Sequence, residues 1–363
     1  MTTRRRGRGV ARLPTLSLLA TAVLAAAALA VAPVASAGER TASDPQRALL
    51  VVHGGAGVTR ASLGPGEEAE ARAALEAALL AGHATLRVGG TALDGITAAI
   101  QALEDAPQFN AGRGAVFTHE GRNELDASIM DGASGRAGAV AGVQRTRNPI
   151  RLARTVMEQS SHVMLVGEGA EAFGAIFGIE QVDPSYFRTE KRWQQLQRAL
   201  QAEQERKTGA SDGPDLRYFG TVGALALDAE GHLAAGTSTG GMTNKRWNRV
   251  GDSPLIGAGT WADAHCAVSG TGWGEFYIRS AAAHEICARV RLAGQPLGEA
   301  AHAVIDVEIP AAGGDGGAIA LGADGSVAFP FNTEGMYRGW IGADGVPHVA
   351  VFDEALPLPT PAK

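Results

Sequence analysis

The chain is short of four things, and each shortage removes a class of protein. It has only two cysteines, Cys266 and Cys287. Two cannot build a disulfide framework, and no Cys/His spacing of a zinc site is present. They read as two small buried side chains, with a single bridge in an oxidising compartment as the alternative. No Lys/Arg cluster follows the N-terminal leader, and the net charge is −6, which argues against nucleic acid or an anionic membrane as a partner. The apolar run of the leader is short for a span of ~20 residues. Strict alternation of single strands and helices is missing too, which argues against a doubly wound sheet.

What is there begins with that leader. Arg4, Arg5, Arg6 and Arg8 precede an Ala/Leu/Val run that ends at Ala35-Ser36-Ala37. A basic stretch, an apolar core and an A-x-A site make residues 1–37 a secretory signal peptide, so a secreted, periplasmic protein is expected. No membrane association is expected once the signal is removed.

The remainder, 38–363, is long enough for a substantial core. "RALLVVHGGAG" reads as a strand ending in a glycine turn, and the segments 66–90 and 91–107 as helices, the second stopped by Pro107. Short strands are expected in "GAVFTHEG", "LDASIMDGASG" and "AGAVAGV". Helices follow at 148–160 and 190–207, with a strand and helix between them. Later come two strands in 221–241, a strand at "HCAVSGTG", helices over 274–294 and 296–309, and a hairpin over 317–331. Paired helices between hairpin-linked strands suggest one α+β sandwich. The ending "EALPLPTPAK" looks like an untethered tail.

Three chemistries compete. Gly236-Thr237-Ser238-Thr239-Gly240 matches G-x-S-x-G, and "HGGAG" at 53–57 is like an oxyanion motif, as in a serine esterase of the α/β-hydrolase type using Ser238. That elbow must turn straight into a helix, whereas "GMTNKRWNRVGDSP" has no helical stripe and soon reaches Pro254. A periplasmic amino-acid-binding protein would use Arg249 and Asp252 as a clasp, but would need two βαβ-rich lobes.

The third reading explains Gly220-Thr221. A Thr hydroxyl is a weak nucleophile unless a base is within reach, and the closest base is its own α-amine once the preceding peptide is cut. Its reference pKa of ~8 leaves it partly unprotonated near neutrality. Gly220 leaves room for attack, the polar segment 208–219 serves as a mobile linker, and "TVGALALD" holds the new terminus on a strand.

Beside these residues, "VVHGGAG", "FNAGRGAVFTHEGRNELDASIMDG", "GTVGALALDAEGHLAAGTSTGGMTNKRWNRVGDSPLIGAGTWAD", "SGTGWGEFYIR" and "GGDGGAIAL…FNTEGMYRGW" stand in order. In these blocks the chain resembles the isoaspartyl peptidase/L-asparaginase family, the plant-type asparaginases among the N-terminal nucleophile hydrolases. The resemblance implies a four-layer αββα sandwich. It also implies self-cleavage into an α chain, 38–220, and a β chain, 221–363, and a dimer of such heterodimers. The implied reaction is amide hydrolysis of β-aspartyl (isoaspartyl) dipeptides and L-asparagine.

Carried over residue by residue, Thr221 is the nucleophile and Thr239 orients its hydroxyl. Thr271 and Gly272 form the oxyanion hole, and Asn110 supports the nucleophile's surroundings. Arg249 and Asp252 grip the substrate's α-carboxylate and α-ammonium. Backbone carbonyls of Leu103, Glu104, Ala106, Phe109, Ala111 and Arg113 resemble the family's sodium-binding loop, so a structural Na+ is implied and no organic cofactor is expected. Phe219 and Trp273 depart from the family's usual residues, which bears on cleavage rate and selectivity.

Overall fold

The computed structural model describes Asp44 and residues 47–207 and 220–359. The expected signal peptide and the linker 208–219 lie outside the described residues. Among those described, no helix is long and apolar enough to cross a membrane.

The larger of two sheets has eight strands in the order β12-β11-β1-β5-β6-β2-β3-β4. These are β1 (Leu49–Ala56), β2 (Leu125–Asp131), β3 (Ala137–Val143), β4 (Met164–Val166), β5 (Val222–Leu227), β6 (Leu233–Thr239), β11 (Met336–Ile341) and β12 (His348–Ala350). All pairs are antiparallel except β3–β4. The smaller sheet runs β10-β9-β8-β7, from β7 (Thr260–Ala262), β8 (Cys266–Gly272), β9 (Gly316–Gly322) and β10 (Val327–Ala328).

Strand β5 shows why the layers form. Val222, Ala224 and Ala226 point to a core shared with helices, while Leu225 and Leu227 point to a second core against the smaller sheet. This period of two needs apolar residues on both faces, and the run "VGALAL" supplies them. The helices on the first face include α1 (Glu67–Arg87), α2 (Ala92–Asp105) and α3 (Pro149–Gln159). Helix α1 opens with Glu67, Glu68 and Glu70 at its positive end and buries Ala71, Leu75, Ala78, Leu79 and Leu86. Helix α2 starts in a capping box between Thr91 and Asp94. The two helices pass so closely at Gly82 that a Cβ there would lie 2.6 Å from the Gly95 carbonyl oxygen. On the far face of the smaller sheet, Val268 and Ala320 pack with Ile286 of α7 (Ala282–Ala293) and Leu297 of α8 (Leu297–His302). The remaining helices are α4 (Gly167–Ile176), α5 (Glu190–Lys207), α6 (Gly274–Ser280) and a last turn, α9 (Ile309–Ala311).

Five expectations need correction. Residues 115–118 of "GAVFTHEG" form no strand; they run irregularly into a turn closed by Thr118 N–H donating to Arg122 O at 2.8 Å. The helix expected over 274–294 is two, α6 and α7, parted where Ala281 turns left-handed at φ 49°. Helix α8 passes into a π-helical segment, Ala303–Glu308. Cys266 and Cys287 are bonded to each other and buried, so the bridge, and not a pair of free thiols, is what joins β8 to α7. The tail is tied down as far as Pro357, whose carbonyl accepts from Trp340 Nε1 at 2.6 Å.

Candidate active site

Strands β5 and β6 place the nucleophile candidate. Val222 pairs with Ser238 across this hairpin, so Thr221, one residue before β5, lies level with Thr239 at the end of β6. Thr221 Oγ1 donates to Thr239 Oγ1 at 3.2 Å. Thr239 Oγ1 in turn donates to Gly220 O at 3.0 Å and accepts from Gly241 N–H at 3.0 Å. One hydroxyl thus touches both sides of the expected cut.

Asn110 closes the same ring from the loop after α2. Its Nδ2 donates to Gly220 O at 2.8 Å and to Gly241 O at 2.7 Å, while its Oδ1 accepts from Val116 N–H at 2.9 Å. With all three side-chain bonds made, the amide has one orientation. The Gly220 carbonyl, the only backbone group a Thr221 hydroxyl would attack to free its own amine, therefore carries two donors already aimed at its oxygen.

The "HGGAG" turn of β1 presses against this point. Gly55, at φ 113°, has no room for a side chain: a Cβ would lie 3.0 Å from Gly220 Cα and 3.1 Å from Thr221 N. The next residue reaches across to the smaller sheet, where Ala56 N–H donates to Thr271 Oγ1 at 3.1 Å. That bond uses the hydroxyl as acceptor and leaves its proton to donate elsewhere. Gly272 follows, packed so tightly that a Cβ would lie 2.4 Å from Asp315 O.

Arg249 and Asp252 meet at the entry to α6, beside that oxyanion candidate. A Cβ on Gly274 would fall 2.7 Å from Asp252 Oδ1 and 3.0 Å from Arg249 Nη2. The two do not pair with each other. Arg249 forks onto Glu275, Nε to Oε1 at 2.9 Å and Nη2 to Oε2 at 2.7 Å. Asp252 is buried, and its Oδ2 has no hydrogen-bond partner. Burial pushes its carboxyl up to about 7, against the pull of the Arg249 guanidinium.

Ser238 points the other way. Its hydroxyl donates at 2.6 Å to Oε1 of Glu104, a buried acid that burial lifts to about 8. A serine spent on a buried carboxyl, on the helix side of β6, has no histidine base in this arrangement. The esterase reading finds no support in it.

Four contributors escaped the sequence reading. Gly55 and Ala56 sit in the "HGGAG" turn, noticed in the sequence but for another chemistry. Glu275 had no signal beyond lying in "WGEFYIR". His53 is fully buried, and burial pushes its ring down to about 3, so it is neutral. Its Nε2 lies 2.9 Å from Ser269 Oγ, which meets Thr237 Oγ1 at 2.7 Å. This polar seam holds the two sheets in register beneath Thr221, and only the tertiary fold brings its members together.

The loop assigned to sodium is a compact turn. Ala111 O accepts from Gly114 N–H at 3.0 Å. A Cβ on Gly112 would lie 2.3 Å from Glu104 O, and one on Gly114 1.9 Å from Phe109 O. Carbonyl oxygens crowd against bare glycine backbone here, a donor set suited to a hard cation. Among the described residues no group of three or more His, Cys, Asp or Glu could hold a metal ion.

A family model described as asparaginase matches residues 46–351. The isoaspartyl peptidase of Escherichia coli K12 is 49% identical over 317 residues, covering 85% of this chain and 97% of that protein. A probable isoaspartyl peptidase/L-asparaginase 2 of Arabidopsis thaliana is 40% identical over 84% of this chain and 98% of its own length. A plant-type L-asparaginase of Thermococcus kodakarensis is 41% identical over 80% and 94%.

Proposed function

The chain belongs to the isoaspartyl peptidase/plant-type asparaginase family, and from that premise we propose that it is a self-cleaving threonine hydrolase. It releases aspartate from β-aspartyl (isoaspartyl) dipeptides and from L-asparagine. The observation that carries this reading is the ring in which Thr221, Thr239 and Asn110 close on the Gly220 carbonyl.

Maturation follows from that ring. Thr221 Oγ1 attacks the Gly220 carbonyl carbon and passes its proton to Thr239, whose own proton moves toward Gly220 O. Asn110 Nδ2 steadies the negative charge developing there. The proton relayed from Thr221 Oγ1 ends on the Thr221 nitrogen as the peptide C–N bond breaks and the Gly220 C=O re-forms, leaving Gly220 as an ester on Thr221 and a free α-amine. Water then hydrolyses the ester and gives the Gly220 carboxylate. The result is an α chain, 38–220, and a β chain, 221–363, in one four-layer αββα sandwich.

Turnover uses the same hydroxyl. The new α-amine takes its proton as Thr221 attacks the substrate's β-carbonyl, with Thr271 and Gly272 receiving the oxyanion. Protonation expels ammonia or the dipeptide's amine, and water cleaves the acyl-enzyme to aspartate. The Arg249 fork receives the α-carboxylate in exchange for Glu275, and Asp252 offers its unpartnered oxygen to the α-ammonium. Acyl transfer of this kind requires no organic cofactor. The six carbonyls of Leu103, Glu104, Ala106, Phe109, Ala111 and Arg113 would hold a structural Na+, stiffening the loop that carries Asn110. We further read the protein as secreted into an oxidising, periplasmic setting where its disulfide persists, and as a dimer of heterodimers.

The test is a denaturing gel of the purified protein with N-terminal sequencing of the smaller band, beside an assay of aspartate release. Two bands, one beginning Thr-Val-Gly-Ala, are expected. An intact chain that nevertheless hydrolyses β-aspartyl dipeptides would overturn the N-terminal-nucleophile mechanism.

A further inference from the structure

Helix α5 contributes nothing to the reaction as described, yet it grips both loops that feed the site. Arg192, Leu196 and Ala199 are its buried residues, and Glu203, four positions on, continues that stripe. At its start, Arg192 Nε donates to Gly114 O at 2.8 Å and Nη2 to Gln108 O at 3.3 Å, bracketing Asn110. Toward its end, Glu203 turns to a different segment, the loop 242–249.

That loop has an unusual backbone. Among the described residues only four non-glycine positions have positive φ, and three are here: Asn244 at 63°, Trp247 at 56° and Asn248 at 56°. Asparagine tolerates this region, whereas a tryptophan rarely adopts it. Trp247 is 89% exposed, so its own packing does not hold the conformation. Such a backbone persists only where its surroundings over-determine it.

The surroundings are identifiable. On one side, Asn244 N–H donates to Phe117 O at 2.9 Å and His119 N–H to Lys245 O at 2.8 Å. On the other, the Glu203 carboxylate accepts from Asn244 Nδ2 at 3.0 Å and from Arg246 Nη2 at 2.9 Å to each oxygen. His119 Nδ1 completes the knot, 2.8 Å from Asn244 Oδ1. The Glu203 side chain is 17% exposed and that of Arg246 28%, so the pair is more sheltered than an ordinary surface bridge. From Arg246 the chain makes one turn, closed by Arg249 N–H donating to Arg246 O at 3.0 Å, and so arrives at the fork-bearing residue.

We propose that Glu203 is a positioning residue: by latching Asn244 and Arg246 it fixes the left-handed loop and thereby aims Arg249 at the substrate's α-carboxylate. The cut between Gly220 and Thr221 puts Glu203 on one chain and Arg246 on the other, so the latch is a charged contact, beside those of Phe117 and His119, through which the α chain governs a specificity element of the β chain. This rests on the role given to Arg249 above.

The test uses the matured protein, with Glu203→Gln, Arg246→Gln and the double substitution. Hydrogen exchange of the 242–249 peptide is read beside kcat and KM for a β-aspartyl dipeptide. Each single substitution should lower protection of that peptide and raise KM about three- to tenfold, with kcat and self-cleavage unchanged. The double substitution should add little to either single one, because all three variants break the same Glu203–Arg246 ion pair. Unchanged protection in both singles overturns the latch, as does an additive double. Lost protection with an unchanged KM also overturns the proposal when Arg249→Lys, assayed in parallel, does raise KM. If Arg249→Lys leaves KM unchanged as well, it is the assignment of Arg249 that fails. Unlike a general loss of stability, the latch predicts a change in KM alone.

Discussion

At the nucleophile end, Thr221, Thr239, Asn110 and Gly220 close on one another through neutral groups at 2.8–3.2 Å. At the substrate end, some residues away on the α6 side, the groups are charged and their arrangement is provisional. Arg249 is engaged by Glu275, whose side chain is 45% exposed, while Asp252 keeps a buried oxygen with no partner. The contrast separates two tasks. In the proposed function the first end already holds its reactant, the Gly220 carbonyl, so its hydrogen bonds can all be made in the folded chain. The second must wait for a ligand, and a site that waits carries either a replaceable partner or an unmet one.

The strongest way to break the comparison is at the group both tasks share. Thr221→Ala should abolish self-cleavage and turnover together, the chain remaining a single band on a denaturing gel with no aspartate released. Thr221→Ser should keep some of both, since it retains a hydroxyl. Activity in an uncut Thr221→Ala protein would mean that the ring around Gly220 is structural.

Asn110→Ala comes next, and it should divide the tasks. Removing a donor from the Gly220 oxygen should slow maturation by about 10²–10³-fold, the usual effect of losing one oxyanion donor. Turnover by the fraction that has matured should fall less, because in the proposed mechanism the substrate's oxyanion meets Thr271 and Gly272. A time course of band splitting beside activity per cut molecule measures both. Equal losses would mean that one donor set serves both reactions.

Arg249→Lys makes the complementary cut. Lysine cannot reproduce a planar fork, so kcat/KM for β-aspartyl dipeptides should drop by about 2–4 kcal/mol, as for one side of a sheltered charged contact. Self-cleavage involves no free α-carboxylate and should proceed at the normal rate. A mutant that matures and hydrolyses like the parent would make Arg249 a surface partner of Glu275 and nothing more.

How much of this was legible in the sequence differs between the same two ends. Gly220-Thr221 could be singled out as a candidate because its logic is local: a hydroxyl, a small neighbour and a following strand all lie within a few residues. The strand β5 was likewise legible in "TVGALALD", whereas the two cores it lies between were not. Glu275 could not be found, since its importance depends on Arg249 lying opposite it, and that pairing is made only by the loop before β7 folding back on α6. The strands β11 and β12 were missed for a related reason. They extend the larger sheet beyond β1 from the far end of the chain, β11 pairing with β1 and β12 with β11 as the edge, and "MYRGWI" mixes polar and apolar residues without clean alternation. The disulfide was undecided because two cysteines 21 residues apart reveal their proximity only once α7 lies on β8.

The smallest effect, and the finest probe of the waiting end, is the titration of Asp252. Burial raises its carboxyl from the ordinary aspartate range to about 7 in the unliganded protein. Below that pH it is neutral and offers an ammonium group little; above it the charge is present and attraction is full. The sign is therefore a kcat/KM for β-aspartyl dipeptides that rises with pH, by about tenfold between pH 6 and pH 8, since this ratio follows the free enzyme. In the complex the substrate's ammonium favours the carboxylate and lowers its pKa, so kcat should not show this limb. The Thr221 α-amine, with a reference value of ~8, also loses a proton as pH rises, and the two must be told apart. Asp252→Asn does so: it removes the limb near 7 from kcat/KM and leaves the amine's effect on kcat in place. A limb near 7 that survives in Asp252→Asn would belong to another group, and the unpartnered oxygen would then be no receptor for ammonium.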